Sequence, residues 1–253
     1  MVGRKAELDI IIQNAQPLSK GKFAGITTVL GEPGMGKSRL IYEFTKNIKG
    51  AQTLLLQTEN VLKLSLNPFR YFLYNYFSQS TSETKEANQN IFELKFEELL
   101  NNLRSSSDAR ANAIIIELER TRSVIAALIN LYYENSLYEQ LDSKARYENT
   151  LFAIKEFVKG MSLINPVIIQ IEDIHWIDSD SQEAFRVLCR GIEDYPVMII
   201  ATGRFYDDGS TPVLQTDDEV EKHEIILEKL EDDSAGTYIE SLLDGKADDN
   251  LTA

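Results

Sequence analysis

The run ITTVLGEPGMGKSRL, Ile26 to Leu40, decides the fold. Its first five residues are apolar or β-branched and end at a glycine-rich turn, the pattern of a short buried strand. From about Lys37 a helix is expected, with Leu40, Ile41 and Phe44 on one face. Between the two, Gly31 to Ser38 fits G-x-x-x-x-G-K-[ST] at every fixed position. Glycines let such a loop curl so that successive N–H groups point inward at phosphate oxygens, and the helix N-terminus adds favourable partial charge. Lys37 is then expected to reach the β- and γ-phosphates of a nucleotide, and the Ser38 hydroxyl to ligate Mg2+.

Working outward, Gly50 stops the helix and TLLLQ (Thr53 to Gln57) reads as the next strand. Strand, loop, helix and strand make a βαβ unit, which implies a parallel sheet covered by helices on both faces. From about Val61 to Met161 the period becomes helical. Phe69, Phe72, Leu73, Tyr76 and Phe77 share one face, and the polar SQSTSETKEANQN (78–90) reads as a loop. Phe92, Phe96, Leu99 and Leu103 mark a second helix. Ile114, Leu118, Thr121, Ile125, Leu128 and Tyr132 mark a longer third, and Tyr147, Leu151, Ile154, Val158 and Met161 a fourth. The sheet then resumes with PVIIQIED and PVMIIATGR, and HEIIL (His223 to Leu227) reads as a fifth strand. Phe205 to Glu221 is expected to be a loop, Asp233 to Leu243 a short helix, and the last ten residues a frayed tail.

Val167 to Asp178, VIIQIEDIHWID, ends an apolar strand in two adjacent acids. Unpaired buried charge is costly, so these carboxylates must hold something. Mg2+ beside a phosphate-binding loop prefers oxygen ligands and keeps several waters, which Glu172 and Asp173 can hold. Side chains alternate along a strand, so one acid is expected to serve the metal and the other to orient the attacking water; which does which stays open. His175 and Trp176 read as residues that orient this turn, with a catalytic histidine as the alternative. Asp178 is expected to cap the next helix or join the turn's hydrogen bonds, while Ser179 to Gln182 has capping-box spacing.

Composition sets limits. The chain has 253 residues, 43% of them hydrophobic, enough for a substantial core. No apolar run approaches a membrane span and the N-terminus lacks a signal-peptide core, so a cytoplasmic protein is expected. Cys189, the single cysteine, lies at helical spacing among apolar residues and reads as core. The net charge is −14, and 15 acidic against 4 basic residues fall in 201–253. That acidity disfavours nucleic acid as a partner.

Four segments in order, VGRKAEL from residue 2, GEPGMGKSRL from 31, IEDIHWID from 171 and MIIATGR from 198, resemble the STAND-type signalling ATPases, relatives of the AAA+ proteins. The likeness is to modules attached to class III nucleotide cyclases, serine/threonine kinases and large bacterial transcription regulators. It implies a three-layer αβα P-loop fold with a five-stranded parallel sheet in the order 5-1-4-3-2 and a helical insert, 59–161, before the strand bearing the acids. It implies ATP or ADP with Mg2+ as cofactors. Gly31, Glu32, Pro33, Gly34, Met35, Gly36, Lys37, Ser38 and Arg39 would bind nucleotide, and Val2, Gly3 and Arg4 would line its adenine or ribose side. Arg204 would contact the γ-phosphate. Such proteins usually carry two aspartates where this chain has Glu172 and Asp173, one methylene longer at the first.

The expectation is therefore a slowly hydrolysing, Mg-dependent ATPase core acting as a nucleotide switch within a larger protein, with residues 228–253 opening a winged-helix lid. Further repeat or output domains of the same chain, or a second copy, are the expected partners. The rivals are a DNA-linked AAA+ initiator-type ATPase and a non-hydrolysing scaffold. A GTPase is disfavoured, since no Asn/Thr-Lys-x-Asp guanine-reading motif is found.

Overall fold

The computed structural model describes residues 3–60, 64–217 and 219–229. Val2, the expected helix at 233–243 and the expected tail lie outside them. Five strands, β1 (Ile26–Leu30), β2 (Gln52–Gln57), β3 (Val167–Glu172), β4 (Val197–Gly203) and β5 (Lys222–Ile226), form one sheet. Its order is β5-β1-β4-β3-β2, and every neighbouring pair is parallel. The expected order 5-1-4-3-2 is thus observed.

Strand alternation splits the sheet's side chains between two cores. On one face Val29, Ile168, Met198, Ile200 and Ile225 pack with Ile11 of α1 (Lys5–Asn14) and with Leu40, Ile41 and Phe44 of α2 (Lys37–Asn47). On the other, Leu54, Leu56, Val167, Ile169, Ile171, Val197, Ile199 and Ala201 meet the remaining helices. These are α3 (Asn67–Tyr76), α4 (Lys85–Arg104), α5 (Ala111–Leu128), the short α6 (Leu137–Gln140), α7 (Ser143–Ile164) and α8 (Ser179–Cys189). Three layers result, with α3 to α7 inserted between β2 and β3 as expected. Cys189 is buried in the second core, where burial pushes its thiol up to about 12.

The insert packs tightly. A Cβ on Gly160 of α7 would stand 3.2 Å from Ile114 Cγ2 and Leu118 Cδ1 and 3.3 Å from Leu103 Cδ1, so α4, α5 and α7 meet where only hydrogen fits. Two boundaries differ from expectation. Residues 85–90 are not loop: Thr84 accepts a hydrogen bond from the Ala87 N–H at 3.1 Å and starts α4 within the polar stretch. Tyr132 is not on α5, because the helix ends at Leu128 and Asn130 turns left-handed at φ 63. No helix of the described residues is long and apolar enough to cross a membrane.

Candidate nucleotide site

The strand order brings three chain segments to one edge of the sheet. Parallel strands end on the same side, and β4 lies between β1 and β3. Arg204, the residue after β4, therefore stands between the loop that leaves β1 and the acids that end β3.

The loop has the backbone its glycines permit. Gly34 and Gly36 adopt φ 81 and 87, and an added Cβ at either would meet nothing within 4 Å, so the requirement there is conformational. Gly31 is different: its Cβ would lie 3.0 Å from the Leu227 carbonyl oxygen. The Gly31 N–H donates to the Gly203 carbonyl at 3.3 Å, and the Leu227 N–H to that of Leu30 at 2.7 Å, which ties the loop's start to β4 and to the exit from β5. Lys37 Nζ donates to the carbonyls of Gly31 at 2.6 Å and Glu32 at 2.9 Å, across the loop it belongs to. Burial and the nearby Arg204 hold its ammonium below the ordinary lysine range, while Asp173 and Glu32 oppose that shift. Ser38 is exposed in the first turn of α2. Arg39 lies along the helix surface, paired with Glu43 at 2.5 Å.

Arg4 is brought to the back of this loop. Arg4 is buried, and its guanidinium donates to the Met35 carbonyl at 3.4 Å, to Glu7 Oε1 at 3.0 Å and to the Glu228 carbonyl. These bonds join the N-terminal motif, the glycine-rich loop and the segment after β5. Gly3 beside it turns at φ 68.

The two acids separate. Glu172 continues the β3 face of Ile168 and Gln170, the face on which α2 packs, and its Oε1 accepts from Gln170 Nε2 at 3.2 Å. Asp173 leaves the strand in a left-handed conformation, φ 53 and ψ 50. Asp173 is a carboxylate whose charge acts on both Lys37 and His175, and Arg204 acts on the same two. Lys37, Asp173, His175 and Arg204 thus form one electrostatic cluster. Burial holds the His175 imidazole below the ordinary histidine range, Asp173 opposing and Arg204 and Lys37 adding to it. His175 Nδ1 is buried without a hydrogen-bond partner among the described residues, and its ring packs on Trp176 with centroids 4.8 Å apart. One hydroxyl and two carboxylates at this edge are the oxygen donors that Mg2+ takes.

Asp178 is the N-cap of α8, accepting from the Ser181 N–H at 2.9 Å and the Ser181 hydroxyl at 2.6 Å. The expected capping box from Ser179 is not formed. Gln182 instead donates to the Val213 carbonyl at 3.3 Å and accepts from the Gln215 N–H at 3.0 Å. Asp178 Oδ1 also accepts from the Leu66 N–H at 3.0 Å, and Leu66 is the left-handed residue that precedes α3. The turn that carries the acids is therefore bonded to the start of the insert. Asp178→Ala should destabilise the fold by about 2–3 kcal/mol in urea unfolding, a lost cap plus an orphaned N–H, with Asp178→Asn costing less. A loss within error of zero for the alanine variant would mean that neither bond matters.

Thr58 and Thr202 were not legible as site residues. Their hydroxyls reach the backbone at Asp173, and the only sequence signal is position, since each stands at the end of a strand flanking β3.

Comparison with known proteins adds the following. The family described as AAA ATPase domain matches residues 1–200. The uncharacterized protein R02095 of Rhizobium meliloti (strain 1021) is 24% identical over 213 residues, which cover 81% of this chain and 18% of that protein. Among solved structures, the Signal Transduction ATPase with Numerous Domains (STAND) protein with a tetratricopeptide repeat sensor from Pyrococcus horikoshii matches all of this chain and 27% of its own, at 15% identity and a TM-score of 0.46. VirB4 of Thermoanaerobacter pseudethanolicus matches 86% of this chain and 80% of its own, at 12% identity and a TM-score of 0.31. The chain spans 18% of the length of the curated relative it matches.

Proposed function

The chain belongs to the AAA ATPase domain family, and from that premise we propose that it is the ATP-binding, slowly hydrolysing, Mg-dependent core of a larger cytoplasmic signal-transducing protein of the STAND type. The observation that carries the reading is the cluster of Lys37, Asp173 and Arg204 assembled by the order β1-β4-β3. The four motifs in their order, ending in the acid pair and the arginine after β4, support the STAND assignment.

In this reading Gly31 to Ser38 wrap the phosphates with backbone N–H groups, and Lys37 exchanges the Gly31 and Glu32 carbonyls for β- and γ-phosphate oxygens. Bound Mg2+ would supply positive charge to offset what develops on the transferred phosphoryl group. Ser38 and Glu172 would hold it, because Glu172 lies on the sheet face that α2 covers. Asp173, within the field of Lys37, would orient the attacking water, and Arg204 would register the γ-phosphate. Arg4 supports the loop through the Met35 carbonyl and serves nucleotide binding from behind. Residues 59–161 form an insert of the same core, and the bond from Asp178 to Leu66 supports a coupling between the acid-bearing turn and that insert. The nucleotide would then act as a switch for further domains of the chain.

Calorimetric titration with ATP, with and without EDTA, tests this together with phosphate release. We expect metal removal to weaken ATP binding about tenfold or more and to stop hydrolysis. Tightly held ADP that copurifies, with no phosphate release in Mg2+, would leave a scaffold and overturn the ATPase. Salt-dependent binding of duplex DNA would favour an initiator-type role instead.

A further inference from the structure

We propose that Thr58 and Thr202 are positioning residues that clamp the peptide unit joining Glu172 to Asp173, and through it set where the Asp173 carboxylate stands. The proposal rests on the reading of this site as an ATPase. Thr58 is the first residue beyond β2, and Thr202 is the penultimate residue of β4. The two strands that flank β3 therefore each bring one hydroxyl to its end. Thr58 Oγ1 lies 2.8 Å from the Glu172 carbonyl oxygen and 2.7 Å from that of Asp173, and shares its single proton between them. On the other side, the Asp173 N–H donates to Thr202 Oγ1 at 3.3 Å. One peptide unit has its C=O held from β2 and its N–H held from β4.

The backbone explains why a clamp is needed. Asp173 turns left-handed, a conformation uncommon for a residue with a Cβ although aspartate tolerates it better than most, so bonds from the neighbouring strands help to select it. An extended residue there would continue the strand and carry the carboxylate to the opposite sheet face from Glu172. The left-handed turn instead leaves Asp173 where its charge acts on Lys37 and His175. Neither threonine belongs to the phosphate loop, so loosening the clamp should disturb the carboxylate and spare phosphate binding. A purely structural role would lower stability without separating binding from turnover.

Three variants of the same chain test this: Thr58→Val, Thr202→Val and Thr58→Ser. Valine keeps the shape and removes the hydroxyl, while serine keeps the hydroxyl. The measurements are ATP affinity with Mg2+, kcat for phosphate release, and hydrogen exchange of the Asp173 amide in the nucleotide-free protein. We expect both valine variants to bind ATP within about twofold of wild type and to lose about tenfold in kcat, the kinetic equivalent of one hydrogen bond. The Asp173 amide should exchange faster in both, and Thr58→Ser should restore rate and protection together. Wild-type kcat and exchange in the valine variants would overturn the clamp, as would a loss that serine does not rescue and that follows the unfolding midpoint. A wild-type chain that releases no phosphate counts against the ATPase reading instead, and amide exchange then decides by itself whether the clamp exists.

Discussion

Lys37→Ala should lower ATP affinity by about a hundredfold or more, leaving no measurable heat in a calorimetric titration at micromolar protein, while the chain stays folded. The size follows from what the ammonium is placed to do. It is the cation at the start of the helix that follows the loop, and each charge-assisted bond it makes to a phosphate oxygen is worth about two ordinary hydrogen bonds. The survival of the fold follows from its present bonds. Among the described residues, Lys37 Nζ donates within its own loop, to Gly31 and Glu32. Burial and Arg204 hold the ammonium below the ordinary lysine range, so the folded chain binds that proton more weakly than the unfolded chain does. At neutral pH the charge therefore costs stability, and that cost disappears as pH rises through the ordinary lysine range. Alanine, the better helix former at the start of α2, should leave the unfolding midpoint unchanged or slightly raised. Unchanged ATP affinity would remove the phosphate-loop assignment altogether.

Asp173→Asn should do the opposite, retaining ATP within a few-fold and losing hydrolysis by about a hundredfold or more. Asparagine is close to isosteric and is one of the few residues that tolerate the left-handed backbone that Asp173 adopts. Its N–H can still meet Thr202, and its carbonyl can still meet Thr58. What is lost is the charge beside Lys37, and with it a base able to orient and polarise water. Phosphate release at the wild-type rate would move that role to Glu172. Asp173→Ala would be a poorer test, because it changes the backbone preference together with the charge.

The chemistry of this site was more legible than its geometry. The loop from Gly31 to Ser38 stands out because its glycines, lysine and hydroxyl fall at the fixed spacing of a phosphate-binding motif. The strand and helix on either side have different hydrophobic periods, so the boundary between them is visible. The acids declare themselves because charge seldom ends an apolar strand without purpose. Periodicity could not reveal that the chain turns left-handed at Asp173, where the hydroxyls that bond the backbone come from residues more than twenty positions away in either direction. Nor could it separate the roles of Glu172 and Asp173: alternation predicts opposite faces only while the strand continues, and the chain leaves the strand at Asp173.

The boundary errors have local causes. Residues 85–90 look like loop because Lys, Glu, Asn and Gln carry no apolar stripe, yet Thr84 caps the helix and Phe92 and Phe96 anchor it one and two turns further on. Tyr132 falls at helical spacing from Leu128, but the backbone has already turned at Asn130, and Tyr132 is 46% exposed. Gln182 satisfies the spacing of a capping box but bonds to the loop before β5, a tertiary partner that local spacing does not contain. Arg4 was expected to line the adenine or ribose side of the nucleotide. Its guanidinium bonds to carbonyls of the phosphate loop and of the segment after β5, and an arginine surrounded by backbone acceptors carries no local sequence signature.

We propose that the order β1-β4-β3 assembles one site in which Lys37, Asp173 and Arg204 surround the same γ-phosphate. The most direct test is the position of that phosphate in a crystal structure with Mg2+ and a non-hydrolysable ATP analogue. Lys37 Nζ and the Arg204 guanidinium are expected within hydrogen-bonding distance of its oxygens, with Asp173 one water away. A γ-phosphate directed away from the end of β4, with Lys37 still bonded to the Gly31 and Glu32 carbonyls, would contradict it.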